Sequence, residues 1–135
     1  MSVVKRVVDD KLGPIVFDED VGAWTAAVTI DGEPLEFNIG GDTTPNPVLV
    51  AHARAIAASA DAFRSKVREL LVAESKRVGD GRASEEILAL EIENVCLWES
   101  GPPVTGMIYF LGGDDDRVWR CDYEDGEPKD LGFDS

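Results

Sequence analysis

The clearest pattern along the chain is an alternation of apolar and polar residues on both sides of Asp31-Gly32. The stretches AWTAAVTI before this dipeptide and PLEFNI after it repeat with a period of two, which is typical of half-buried β-strands. An Asp-Gly pair between two such stretches favours a type I′ turn, because both central residues of that turn need positive φ. The pattern therefore predicts a β-hairpin.

Turn and pattern also predict the same register for this hairpin. A two-residue turn at positions 31 and 32 makes the numbers of paired residues sum to 63. Three apolar pairs then share one face: Val28 with Leu35, Ala26 with Phe37, and Trp24 with Ile39. A slip of one residue would turn all of them to the opposite face, so we expect this register to be strongly specified.

A helix is predicted after the loop GGDTTPNP. Asn46 is a suitable N-cap, and Pro47 fits the first helical position. A P-loop is not indicated, since its lysine and its spacing are missing. Apolar residues then recur every seven positions and form a stripe towards a sheet: Leu49, Ile56, Phe63 and Leu70. A break near Ser59 stays open, because Ser59 could cap a second helix, and Gly79 and Gly81 are expected to end the segment.

Further strands are predicted in the second half of the chain. The expected elements are a short helix at about 85–89, a strand at about 90–98, the apolar run 107–111, an alternating strand through Trp119, Cys121 and Tyr123, and a short strand near Leu131. We therefore predict an α+β fold: an antiparallel sheet of about five to seven strands with one long helix packed across one face. Residues 1–135 form a single domain in this prediction.

Charge limits the class of partner. Thirteen Lys and Arg face 27 Asp and Glu, which gives a net charge of −14 and disfavours nucleic acid and anionic membranes. The charge is also uneven, since residues 47–78 carry a net +3 and the rest of the chain −17. A mildly basic helix surrounded by acidic segments favours a basic protein as partner.

The apolar segments and the cysteines bear on location and cofactors. No apolar run is long enough for a secretory signal or a membrane helix, so we predict a cytoplasmic protein. Cys96 and Cys121 are then expected to be reduced, buried thiols. No Cys-x-x-Cys pair indicates metal or redox chemistry, and no cofactor is predicted.

The segment GGDDDR, residues 112–117, is the one stretch that suggests a site by its letters alone. Calcium loops space their carboxylates so that the oxygens converge on one ion, whereas consecutive carboxylates diverge. The Glu-Phe that continues the nucleotide-cyclase signature is also missing. The composition predicts a hairpin turn. Its functional alternative is an acidic loop in which Asp114, Asp115 and Asp116 contact a partner.

Other candidate groups have structural explanations. His52 is the only histidine, and its helical neighbours Val48 and Ile56 offer it no catalytic or metal-binding partner. Glu91 and Glu93 could share a strand face, but 27 acidic residues in 135 positions make such pairs frequent. No catalytic or metal-binding residue is predicted.

Trp98 is the candidate anchor for a protein partner. It alternates with Leu97, so one of the two points away from the helix. A tryptophan on the outer side of the sheet among acidic side chains suits a binding hot spot. The sequence alone leaves open which of the two residues faces outwards.

A resemblance adds to this interpretation. The start Asp9 to Gly13 in DDKLGPIVFDED, the Asp31-Gly32 hairpin, the long helix and the late Asp125-Gly126 turn resemble a group of small bacterial proteins, known chiefly as domains of unknown function. Some members lie near toxin systems and are suspected immunity proteins. The resemblance implies the same strand, hairpin, helix and meander order, and it carries no catalytic residue set.

Three functional hypotheses follow. The first is a non-enzymatic, acidic protein-binding domain, in particular an immunity-type inhibitor of a basic partner. The second is a small hydrolase or isomerase, which predicts a deep pocket with two convergent carboxylates of raised pKa. The third is that the acidity reflects a demanding cell interior. Only five of the 13 basic residues are lysines, which fits this third hypothesis.

Overall fold

The computed structural model describes residues 5–79, 81–113 and 116–134. Its elements in chain order are β1 (Arg6–Asp9), β2 (Gly13–Asp18), β3 (Ala23–Ile30), β4 (Glu33–Ile39), α1 (Pro47–Ala58), α2 (Ala60–Val78), α3 (Arg82–Leu88), β5 (Glu91–Glu99), β6 (Thr105–Leu111), β7 (Val118–Glu124) and β8 (Glu127–Asp134). The fold is α+β, as predicted.

The eight described strands form one sheet in the order β1 to β8. Neighbouring strands are antiparallel except β4 and β5, which run parallel with Phe37 opposite Val95. The prediction of an antiparallel sheet with five to seven strands was therefore wrong in count and in this one pairing. β4 and β5 run parallel because of the segment that connects them. Parallel neighbours need a crossover connection, and the three helices between β4 and β5 form it.

The β3–β4 hairpin has the predicted register. Trp24 pairs with Ile39, Ala26 with Phe37 and Val28 with Leu35. The turn residues Asp31 and Gly32 have φ angles of 52° and 79°, as a type I′ turn requires.

The predicted long helix consists of two helices. Asn46 caps α1 as predicted, since its side chain accepts hydrogen bonds from the backbone N–H groups of Val48 and Leu49. The chain breaks at Ser59, whose hydroxyl donates to the carbonyl of Ala55 at 2.8 Å and makes no cap for α2. With α3, which begins at Arg82 rather than near residue 85, the crossover contains three helices.

One hydrophobic core lies between the helices and one face of the sheet. Trp24, Phe37 and Phe63 all belong to it and are at most 4% exposed. Trp119 from β7 is buried in the same core. Within the described residues, no helix is both long and apolar enough to cross a membrane.

Ion pairs join the basic helices to acidic strand ends beside three hairpin turns. The pairs are Arg54 with Asp9, Arg64 with Glu33 at 3.7 Å, and Lys66 with Glu127 at 2.7 Å. Three of the six Lys and Arg in residues 47–78 therefore face carboxylates at strand ends, and Arg77 pairs with Glu74 within α2. Part of the uneven charge in the sequence is therefore balanced within the fold, where cations of the helices pair with carboxylates at the ends of the strands.

Candidate partner-binding face

The sheet has a second face, which we call the outer face, made by the residues that alternate with the core residues. On the central strands these residues include Thr25, Asn38, Cys96, Met107 and Asp122. The helices pack in the core against the strand side chains of the other face, so none of the described helices packs on the outer face. Within the described residues, this face therefore has no covering layer of helices.

A row of polar side chains crosses the middle of the outer face. Thr25 pairs in register with Asn38, and Asn38 with Cys96. The Thr25 hydroxyl donates to Asn38 Oδ1 at 3.0 Å, and the amides of Asn38 and Asn94 donate to Cys96 Sγ at 3.8 and 3.4 Å. Asn38 and Cys96 are each only 3% exposed. These contacts hold the centre of the outer face in one arrangement.

The thiols in the structure are free and buried, as predicted. Burial raises the pKa of Cys96 to about 11, and the nearby carboxylates of Glu36 and Glu93 act in the same direction. Burial likewise raises the pKa of Cys121 to about 12. Both groups are therefore neutral thiols near pH 7, which disfavours a role as nucleophile.

Trp98 lies on the outer face at the end of β5. Trp98 is 43% exposed, whereas Leu97 is fully buried in the core. Of the two residues, Trp98 is therefore the one that points away from the helices. The β5–β6 register shifts between Leu97 and Glu99, so Trp98 lies at a bulge. Gly40 follows the end of β4 beside this bulge, and a Cβ atom there would lie 3.0 Å from the Trp98 carbonyl oxygen. The backbones of β5 and of the residue after β4 therefore approach each other closely next to Trp98.

The end of the sheet that carries Trp98, which we call the Trp98 end, is acidic. Strand β2 ends there at Asp18, β5 at Glu99 and β7 at Glu124. The turn between β2 and β3 adds further carboxylates, while Lys129 pairs with Glu124 at 2.8 Å. Trp98 thus lies at an end of the sheet where several strands and a turn carry carboxylates.

The acidic loop lies at the opposite end of the sheet. Gly112 and Gly113 have φ angles of 98° and 86°, and they lead from β6 into the connection to β7, in agreement with the predicted turn. Asp116 is exposed in this loop, and Asp114 and Asp115 lie outside the described residues. Since β6 separates the two ends by roughly 20 Å, Trp98 and Asp116 do not form one surface. Contact of these four residues with a partner stays a prediction.

Arg117, the last residue of the GGDDDR segment, has a structural role that sequence reasoning missed. Its guanidinium donates from Nε and Nη2 to the Glu86 carboxylate at 2.9 and 2.7 Å. The indole N–H of Trp119 donates to the same carboxylate, whose side chain is 7% exposed. The available signal was Trp119 itself, because most buried indole N–H groups have an acceptor.

His52 contacts the core from α1. Its Nδ1 lies 2.8 Å from the Tyr123 hydroxyl oxygen on β7. Burial raises the pKa of Tyr123 to about 12, so the phenol stays protonated near pH 7. The contact joins a helix to the sheet, which agrees with the structural role predicted for His52.

Two of the described carboxylates have a pKa below the ordinary value, and each of them is paired with an arginine. A hydrogen bond from Arg54 lowers the pKa of Asp9 to about 2, and one from Arg120 lowers the pKa of Asp134. Glu91 and Glu93 are exposed, and Glu93 lies at a register shift in β5 whereas Glu91 pairs in register with Leu111. Among the residues that the structure describes, no group of three or more His, Cys, Asp and Glu could hold a metal ion.

Comparisons of the chain with protein-family models, with curated proteins and with solved structures find no match. The resemblance to small bacterial domains, some of them linked to toxin systems, therefore stays a prediction.

Proposed function

We propose that this protein is a non-enzymatic binding domain that uses the Trp98 end of its outer face to hold a basic protein partner. The observation that carries the proposal is the 43% exposed indole of Trp98, placed at the acidic end of an uncovered sheet face. Binding hot spots are enriched in tryptophan and are surrounded by polar contacts that exclude water. The geometry supports an anchor of this kind.

The charge supports a basic partner. The chain carries −14, and three cations of the helical layer are matched internally by strand-end carboxylates. The excess negative charge lies elsewhere, in part at the Trp98 end. Complementary charge accelerates association and suppresses binding to acidic proteins.

An immunity-type inhibitor is the particular form of this function that we favour. A cationic toxin would meet the acidic surface, and the resemblance to small bacterial domains provides the association with toxin systems. Inhibition of this type needs a rigid, preformed surface rather than catalytic groups. The hydrogen-bonded row through Asn38 and Cys96 supports such rigidity.

The hydrolase or isomerase alternative receives less support from the described residues. It requires convergent carboxylates with raised pKa, whereas hydrogen bonds from arginines lower the pKa of Asp9 and Asp134. The third hypothesis, acidity as an adaptation to the cell interior, makes a separate prediction. It expects neutralised outer-face carboxylates to change solubility and to leave all binding unchanged.

The test is to capture partners on the immobilised domain, identify them by mass spectrometry, and measure association with each purified partner. We expect a cationic partner whose association rate falls steeply as salt is raised. Capture of acidic proteins only, or an association rate that is indifferent to ionic strength, would contradict the electrostatic part of the proposal. A variant with neutralised carboxylates that loses solubility and keeps its affinity would favour the third hypothesis.

A further inference from the structure

The outer face of the β2–β3 hairpin carries a shallow groove, which we call the hairpin groove. Pro14 and Val16 from β2 and Thr25 and Ala27 from β3 form its floor. Val16 pairs in register with Thr25, so the floor continues from strand to strand. Three of these residues are wholly apolar and the fourth presents a methyl group beside its hydroxyl. The floor can therefore remove hydrocarbon from water.

The rim of the hairpin groove is acidic. Asp18, Glu19 and Asp20 line one end of it. The Asp18 carboxylate accepts hydrogen bonds from the backbone N–H groups of Asp20 at 2.9 Å and Val21 at 3.4 Å, which fixes it at the end of the strand. An apolar floor that ends in three carboxylates is complementary to a chain of methylene groups that ends in a positive charge.

Lysine and arginine side chains have this construction. Their stems lie along apolar surface while the charged group stays near water or carboxylates. We infer that the hairpin groove binds a lysine or arginine side chain of the basic partner, with the stem over Val16 and Ala27 and the cation at Asp18, Glu19 and Asp20. The inference rests on the proposed function and names a second contact beside Trp98.

The strands on both sides of the hairpin groove carry charged residues. Arg6 on β1 pairs in register with Val16, so its side chain lies on the same face next to the groove, although it is not one of the residues that line it. On the other side Ala27 pairs with Glu36, an exposed carboxylate of β4. The charge next to the groove on the β4 side is therefore also negative.

The groove can be tested without the partner, with n-butylammonium as a probe that carries a four-carbon stem and a cationic group. Titration of the ¹⁵N-labelled protein should give saturable chemical-shift changes at Val16, Thr25 and Ala27, with millimolar affinity. Ammonium, n-butanol and butyrate at equal concentration should not saturate these signals. Absence of a saturable change with n-butylammonium, or equal binding of butanol or butyrate, would overturn the inference.

Two double variants locate the cation. Glu19→Gln with Asp20→Asn should weaken n-butylammonium binding at least about threefold, because two exposed ion pairs are lost. Glu69→Gln with Asp130→Asn makes the same change in net charge at exposed carboxylates outside the hairpin groove and should leave the affinity unchanged. Equal weakening by both double variants would show a general charge effect and overturn the assignment to the groove.

The n-butylammonium titration and the partner-binding experiment distinguish a failure of the groove inference from a failure of the proposed function. If n-butylammonium does not bind while a captured basic partner depends on Trp98, the groove inference fails and the binding function stands. If n-butylammonium binds as described and no basic partner depends on Trp98, the proposed function fails and the groove stands.

Discussion

The guanidinium group of Arg54 on α1 donates from both Nε and Nη2 to one carboxylate oxygen of Asp9 at the end of β1. The other oxygen accepts the backbone N–H groups of Lys11 and Leu12, both at 2.9 Å. Asp9 therefore closes the first hairpin turn and ties it to the helical layer. Within the Asp-x-x-Leu-Gly start, the aspartate has this structural explanation, and Leu12 is buried in the core.

Replacing Asp9 should destabilise the fold. Asp9→Asn keeps an oxygen for the turn but removes the charge that faces Arg54, and we expect a loss of about 1–3 kcal/mol in the free energy of unfolding. Urea unfolding measures this change. Asp10→Asn, at the exposed neighbouring position, is the matched control and should stay within about 0.5 kcal/mol of the wild type.

The same ion pair predicts a pH dependence. The pKa of Asp9 is lowered from 3.8 to about 2 in the folded state, chiefly by the hydrogen bond from Arg54. The stabilisation by Asp9 is therefore fully present above about pH 4 and is lost as pH falls towards 2. Urea unfolding between pH 5 and pH 2 should show a steeper loss for the wild type than for Asp9→Asn. Parallel curves for the two proteins would contradict this account of Asp9.

Gly106 should be intolerant of a side chain. A Cβ atom there would lie 1.9 Å from the Cys96 carbonyl oxygen, a backbone atom that can move only if β5 and β6 separate. We expect Gly106→Ala to destabilise the protein by about 2 kcal/mol or more. Gly132→Ala is the control, since the nearest atom to its Cβ is an Arg120 nitrogen at 3.9 Å. Equal unfolding free energies for the two variants would show that the strands are further apart than described.

Neither thiol should react in the folded protein. With a pKa of about 11, roughly one Cys96 in a thousand is a thiolate at pH 8, and burial also excludes the reagent. Ellman's reagent should therefore detect no thiol before urea is added and two per chain afterwards. Ser65→Cys, at an exposed position on α2, should react on mixing and shows that the reagent is active. Rapid reaction of the native wild type would contradict the burial of both groups.

Local signals predicted the β3–β4 hairpin and failed for the parallel pair. Asp31-Gly32 specifies a turn by its φ angles, and the alternation on both sides then allows one register. Pairing of Phe37 with Val95 joins residues that are far apart in the chain, and a period of two is the same in parallel and antiparallel strands. The relative direction of β4 and β5 depends on the helices that connect them, so the alternation within each strand could not predict it.

The candidate face was predictable in part. The alternation of Leu97 and Trp98 marked one of them as outward-facing, and packing against the helices then buries Leu97. The separation of Trp98 from the acidic loop depends on the course of β6, which composition does not encode. The pairing of Glu86 with Arg117 was missed for a related reason, since it connects a helix and a loop that only the tertiary fold brings together.

The most direct test of the binding face is the affinity of the captured basic partner for the wild type and for Trp98→Ala. Loss of a hot-spot indole should weaken binding at least about 30-fold. Val48→Ala, a change at a similarly exposed apolar residue on the helical side, should leave the affinity within about twofold, and thermal unfolding should show that both variants are folded. If Trp98→Ala binds the partner as tightly as the wild type does, the outer face is not the binding surface.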